Sequence, residues 1–281
     1  MLTKSSKYNG RPVAPPMGAE EALRAVRDPL LKRDVISLGY VRGLTASGSR
    51  VRFTLRLPSP ASPHGDALAA QCREALLALD DIDEVEIETA WEVPRLPALE
   101  SQTTPAALAQ VKLIVAVASG KGGVGKSTVA VNLAFACARA GARVGILDVD
   151  VYGPSVPAML GLRDHSLAGS QQGVLQPVEA HGLKVMSMGF LTTSETPLVW
   201  RGPIASQLVQ QFLGSVAWGE LDYLFVDLPP GTGDIQLTLT QAVPLSGAII
   251  VTTPQEVAYT IAEKGLRMFQ QVKVPILGIV E

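Results

Sequence analysis

The residues best suited to chemistry fall in one run, Ser119-Gly120-Lys121-Gly122-Gly123-Val124-Gly125-Lys126-Ser127-Thr128. Glycine tolerates backbone conformations that turn consecutive N–H groups inward, so such a run can form a concave anion nest. A helix beginning at Lys126 would add its partial positive charge. Residues Gly120 to Thr128 therefore read as a cradle for nucleotide phosphates. Lys126 would reach the β- and γ-phosphates, and the Ser127 hydroxyl would ligate Mg²⁺. Lys121 is a second ammonium in the same loop, poorly compensated unless it too meets phosphate.

Carboxylates fall where that chemistry needs them. Asp148 and Asp150 close the run Leu147-Asp148-Val149-Asp150, and Asp227 lies in Phe225-Val226-Asp227-Leu228-Pro229-Pro230-Gly231. Ligands of open α/β sheets bind beyond the carboxyl ends of the strands, so these groups should converge on the phosphates. Asp227 is expected to hold Mg²⁺ directly or through water. Asp150 is expected to orient or deprotonate the attacking water, and Asp148 to support that loop or the metal's water shell. Gly231-Thr232-Gly233-Asp234 reads as a segment sensing the γ-phosphate, although Pro229-Pro230-Gly231 also suits a rigid turn. Thr252-Thr253-Pro254-Gln255 lies near the expected base, where Pro254 fits either a first helical position or a nucleotide contact.

The elements that must position these residues follow from composition and periodicity. A chain of 281 residues suggests about two domains. With 47% apolar and 18% charged residues, a disordered chain is excluded. Residues 1–92 hold 12 basic and 13 acidic side chains, and residues 93–281 hold the same numbers over twice the length. Sparse charge with apolar runs suits a parallel sheet covered on both faces. Strands are expected at Leu113–Ala118, Arg143–Leu147, Tyr223–Val226, Ala248–Val251 and Ile276–Val280. Helices are expected at Lys126–Arg139, Pro203–Trp218, Ile235–Ala242 and Glu256–Val272, with a strand pair at Val174–Pro177 and Leu183–Met188. This alternation argues a doubly wound, mostly parallel α/β sheet.

Ahead of it, residues 1–18 read as an irregular arm containing Pro12, Pro15 and Pro16. Residues 19–92 read as a small α+β domain of order α-β-β-α-β. Its helices are expected at Ala19–Arg27 and through Leu68, Cys72, Ala75, Leu76 and Leu79, and its strands at Tyr40–Thr45, Arg50–Leu57 and Val85–Trp91. In Arg50–Leu57, Val51, Phe53, Leu55 and Leu57 alternate with Arg50, Arg52 and Arg56. A proline-bearing linker spans 93–110, and residues 111–281 form the larger domain.

The loop Gly120–Thr128 resembles the deviant Walker A sequence GKGGVGK[ST], a class in which the early lysine crosses a dimer interface to the other subunit's nucleotide. Within it, the chain is similar to the Mrp/ApbC-type iron–sulfur cluster carrier ATPases. The residues that carry this are Asp150-Val151-Tyr152-Gly153-Pro154-Ser155, Met188-Gly189-Phe190-Leu191, Trp200-Arg201-Gly202-Pro203, Asp227 through Asp234, Val251-Thr252-Thr253-Pro254-Gln255 and Gly278-Ile279-Val280-Glu281. Residues from about 20 onward resemble members carrying a MIP-type domain ahead of the ATPase. The resemblance implies a P-loop NTPase fold, ATP and Mg²⁺ as cofactors, catalytic roles for Lys121, Lys126 and Asp150, a homodimer, and client iron–sulfur apoproteins. Arg201 suits either an arginine finger or a helix start.

Two departures bear on the cargo. The family's Cys-x-x-Cys pair lies in a C-terminal part that this sequence does not reach, so a C-terminally incomplete ATPase domain is expected, with no cluster ligand in this chain. Pro60-Ala61-Ser62-Pro63 stands where members often have Pro-Ala-Cys-Pro, removing a soft ligand. The alternative, a MinD/ParA-type positioning ATPase at a membrane or DNA surface, needs an amphipathic C-terminal helix or basic patches that these residues do not show. A ligase or metabolic enzyme on the same scaffold would need a substrate pocket in the middle insertion, where no convergent polar set is seen.

The remaining residues set boundaries. Net charge is −2, which offers no basic surface for nucleic acid or anionic lipid. Two cysteines cannot build a disulfide framework. Cys72 and Cys137 read as apolar helix residues, and His64, His165 and His181 as isolated. The acidic run Asp80, Asp81, Asp83, Glu84, Glu86 and Glu88 reads as a helix end and a solvated strand face. No apolar run approaches the roughly 18 residues that span a bilayer, and no secretory signal opens the chain. A cytoplasmic protein with no membrane or nucleic-acid partner is expected.

Overall fold

The computed structural model describes residues 18–95, 105–151, 153–165, 174–191, 202–231, 236, 240 and 242–281. The irregular arm before residue 18, the middle of the linker, Tyr152, Trp200-Arg201, and Thr232-Gly233-Asp234 lie outside the described residues, as does most of the helix expected at 235–242. The chain divides into two units, Met1–Val93 and Pro94–Glu281.

The first unit runs α1 (Ala19–Arg24), β1 (Val41–Ser47), β2 (Arg50–Leu57), α2 (Gly65–Leu77) and β3 (Glu84–Trp91). Its sheet has the order β1-β2-β3, with β1 antiparallel and β3 parallel to β2. Val51, Phe53, Leu55 and Leu57 are buried, and α2 adds Leu68, Cys72 and Leu76 at helical spacing to the same core. The other face of β2 is wet: Arg50 and Arg52 pair with Glu84 and Glu86, their register partners on β3, and Arg56 pairs with Glu92. Exposed pairs of this kind contribute well under about 1 kcal/mol each, so the apolar face holds the unit together. Burial pushes the Cys72 thiol up to about 11.

The second unit is built on β4 (Val111–Ser119), β5 (Val144–Asp148), β6 (Val178–Ala180), β7 (Leu183–Ser187), β8 (Leu221–Asp227), β9 (Gly247–Val251) and β10 (Ile276–Val280). The spatial order is β10-β9-β4-β8-β5-β7-β6, and every pairing is parallel except β6 with β7. Helices α3 (Lys126–Arg139), α4 (Val156–Met159), α5 (Gly202–Ser215) and α6 (Glu256–Gln271) accompany the strands. β5 is buried at every position and β4 from Ile114 to Ser119, which explains their near-continuous apolar runs. Gly145 fits beneath Leu221 and Trp218, where a Cβ would come within 2.7 and 3.0 Å of side-chain atoms.

Several elements differ from the sequence expectation. The insertion's first strand is Val178–Ala180 rather than Val174–Pro177. Pro177 has no N–H to give a ladder, and Leu175 makes an isolated parallel bridge to Val216. The second strand stops at Ser187, and Met188–Phe190 forms a 3₁₀ turn. Ala106–Leu108, inside the expected linker, is another 3₁₀ turn, with Leu108 in the core. The four-residue α4 was not foreseen. Helix α1 ends at Arg24, three residues early.

Candidate nucleotide site

β4 delivers the chain to Ser119 at the carboxyl edge of the sheet, and α3 begins at Lys126. Between them, Gly123 and Gly125 take φ values of 78° and 92°, the left-handed region that side chains disfavour. Gly120 is needed for a different reason. A Cβ there would lie 2.7 Å from backbone atoms of Ile261 and Ala262 in α6. The loop borders a cavity of about 250 Å³ lined by glycines 122, 123 and 125, Lys126, Ser127, Thr128, Asp150, Gly153, Ser155 and Pro230, among others.

The structure brings Lys126, Ser127 and Asp150 together in the wall of this cavity, with Asp227 buried behind Lys126 and Ser127 and bonded to both. Lys126 Nζ lies 2.6 Å from Asp227 Oδ1 and 3.6 Å from Asp150 Oδ2. Ser127 Oγ donates to Asp227 Oδ2 in a short hydrogen bond. Asp227 is fully buried and Lys126 nearly so. Burial raises the Asp227 carboxyl above the usual carboxylate range, with the Lys126 ammonium working against it. Asp150 Oδ1 accepts from Gly153 N at 3.2 Å, which shapes the loop after β5.

Asp148 turns away from the cavity and organises that loop. Its Oδ1 accepts from Asp150 N at 3.0 Å, and its Oδ2 from Val156 N at 3.3 Å and Ser187 Oγ at 2.9 Å. Burial, and next the charge of Asp227 facing it in register across β5 and β8, push its pKa up to about 7. Of the two roles left open for Asp148, these contacts match support of the loop.

Lys121 stands apart from this group. Its Nζ is 3.5 Å from Gln255 Oε1, which also accepts a hydrogen bond from Thr253 Oγ1. Gln255 caps α6, so Pro254 precedes the cap and is not the first helical residue. Cys137 is half-buried against the core, and burial raises its thiol. His181 Nε2 donates to the Leu160 carbonyl oxygen at 3.1 Å, and the ring meets the Phe135 ring edge-on. Among the described residues no group of three or more His, Cys, Asp or Glu side chains is arranged to hold a metal ion. Ser155, Gly153 and Met159 line the cavity without having been singled out as site residues; the Tyr152–Ser155 segment was visible only as a family resemblance.

A parallel sheet whose first strand feeds a glycine cradle at a helix start, with an acidic strand end opposite, defines a P-loop nucleotide-binding protein. The model of the NUBPL iron-transfer P-loop NTPase family matches residues 110–281, and that of an iron–sulfur cluster assembly protein matches residues 19–89. The chain belongs to this family of iron-transfer P-loop NTPases. It is 50% identical over 262 residues to the iron-sulfur cluster carrier protein of Synechocystis, covering 92% of this chain and 73% of that one. The carrier of Deinococcus radiodurans is 48% identical, over 92% of this chain and 72% of its own. A solved nucleotide-binding protein of Archaeoglobus fulgidus in complex with ADP is 47% identical with a TM-score of 0.54, over 62% of this chain and 68% of that chain. No described helix is long and apolar enough to cross a membrane.

Proposed function

We propose that the chain is an ATP-driven carrier that binds and hydrolyses ATP as a homodimer and passes iron–sulfur clusters to apoproteins in the cytoplasm. What carries this reading is a cavity lined by Lys126, Ser127 and Asp150, with Asp227 bonded to the first two from behind, in a chain half identical to a named cluster carrier.

The N–H groups of residues 120–128 would wrap the phosphates, and Lys126 would leave Asp227 to meet the β- and γ-phosphates. Ser127 Oγ and Asp227 already meet as two hard oxygen donors, a set that suits Mg²⁺. When bound, that ion neutralises charge on the transferred phosphoryl group. Asp150 lines the cavity and would orient the attacking water and take its proton. Lys121 would leave Gln255 for the nucleotide of the second subunit. No arginine lines the cavity among the described residues, so turnover should be slow.

The cluster is cargo, and the cysteines present do not fit it: Cys72 is buried in the first unit and Cys137 packs against the core of the second. No residue of this chain is assigned as its ligand, and no step of transfer is derived. Calorimetry with Mg-ATP tests the nucleotide half, with binding expected for the parent and lost in Lys126→Ala. A parent that takes up no adenine nucleotide overturns it. For the cargo half, the full-length gene product is reconstituted anaerobically with iron and sulfide, and failure to retain iron overturns the carrier reading.

A further inference from the structure

The turn Met188-Gly189-Phe190 lies one strand beyond the cavity and has no role in the site described so far. Ser187, which opens it, is fully buried at the carboxyl end of β7, directly in register with Asp148 on β5. Its hydroxyl is used in both directions. It donates to Asp148 Oδ2 at 2.9 Å and accepts from Gly189 N at 2.9 Å. With its proton committed to Asp148, the hydroxyl shares with Val156 N the work of fixing the plane of that carboxylate. The other oxygen then points at Asp150 N, 3.0 Å away.

The turn also supports the loop from the side. Met188 and Phe190 are anchored in the core, 1% and 4% exposed, with Gly189 between them. A Cβ on Gly189 would sit 3.1 Å from Pro157 Cγ and 3.2 Å from Pro154 Cβ. The segment from Asp150 to Val156 is thus tied at both ends to Asp148 and rests on this ledge in the middle.

We propose that Ser187 and Gly189 are positioning residues for hydrolysis, holding Asp150 at its working place through Asp148 and through Pro154 and Pro157. The inference rests on the reading of Asp150 as the residue that handles the attacking water. Losing the Ser187 hydroxyl removes one of the three hydrogen bonds that orient the Asp148 carboxylate; a methyl group at 189 would press on Pro157, Pro154 and the Ser187 hydroxyl. Either change moves Asp150 while the phosphate cradle, on other strands, stays in place.

The test uses the full chain carrying Ser187→Ala, Gly189→Ala, Asp150→Ala and the double change Ser187→Ala/Asp150→Ala. At pH 8, above the Asp148 pKa, Ser187→Ala should lower kcat for ATP about tenfold, the rate equivalent of a hydrogen bond to a charged group; Gly189→Ala should lower kcat by crowding Pro154 and Pro157, and both should leave ADP affinity unchanged. In the Asp150→Ala background, Ser187→Ala should have no further effect. An equal further loss there, a matching loss of ADP affinity, or parental kcat in Ser187→Ala overturns the inference. Hydrogen exchange of peptides spanning residues 149–156 reads the clamp without turnover, and about tenfold faster exchange is expected in Ser187→Ala. Unchanged exchange also overturns it. A parent that hydrolyses no ATP, with exchange accelerated as expected, would instead sink the hydrolytic reading and leave the clamp standing.

Discussion

Asp148 should make the nucleotide-free protein less stable as pH rises through neutrality. Its side chain is fully buried, and its pKa stands at about 7 against 3.8 in an open chain. Between those values the folded state holds a proton that the unfolded state releases, so folding is favoured at the acid end. Each pH unit inside the window is worth about 1.4 kcal/mol, and the whole displacement amounts to about 4 kcal/mol. From pH 5.5 to pH 8 only the part below pH 7 contributes, which is about 2 kcal/mol. Urea unfolding at both pH values, in chelator and without nucleotide, measures this through circular dichroism. Asp148→Asn cannot titrate and should remove about that much of the pH dependence, so the parent-minus-variant difference cancels other groups. If both proteins lose equal stability between the two pH values, the carboxyl is ionised throughout and the reasoning fails.

Lys126→Ala should abolish nucleotide binding and also destabilise the empty protein by about 3–5 kcal/mol, because Asp227 would be left buried and unpaired. Adding Asp227→Asn should restore most of that stability, which chemical denaturation of the single and double variants will measure. Asp150→Ala should bind ADP like the parent yet turn ATP over more slowly; equal turnover would remove it from the mechanism. Lys121→Ala should likewise spare ADP binding and slow hydrolysis, with the deficit read by steady-state assay. Gly120→Ala should weaken ADP binding by forcing the loop off α6, and parental affinity by calorimetry would show that this close approach is unnecessary.

The sheet was legible because its strands are apolar runs closed by chemistry-bearing residues: β4 by the glycine loop, β5 by Asp148 and β8 by Asp227. The half-buried β2 declared itself through its alternating arginines, whose partners on β3 alternate in step. Short elements were less visible. A four-residue helix such as α4 has too few turns for a period, and Leu108 alone could not mark a turn within a proline-bearing linker. Val174–Pro177 looked like a strand by hydrophobicity, yet the pairing went to residues 178–180, where N–H groups are available. The location of Lys126 against Asp227, 101 residues away, is a tertiary fact with no local signature. Ser187 is a lone serine after an apolar strand, and only its register with Asp148 gives it meaning.

The pairing of Lys126 with Asp227 gives the cradle something of the character of an ion exchanger. An ammonium occupies the counter-ion place that a divalent cation would take, so metal alone gains little by arriving. A phosphate chain that draws the ammonium toward itself vacates that place in the same movement. Metal and nucleotide are therefore expected to load as a single package, and to leave as one.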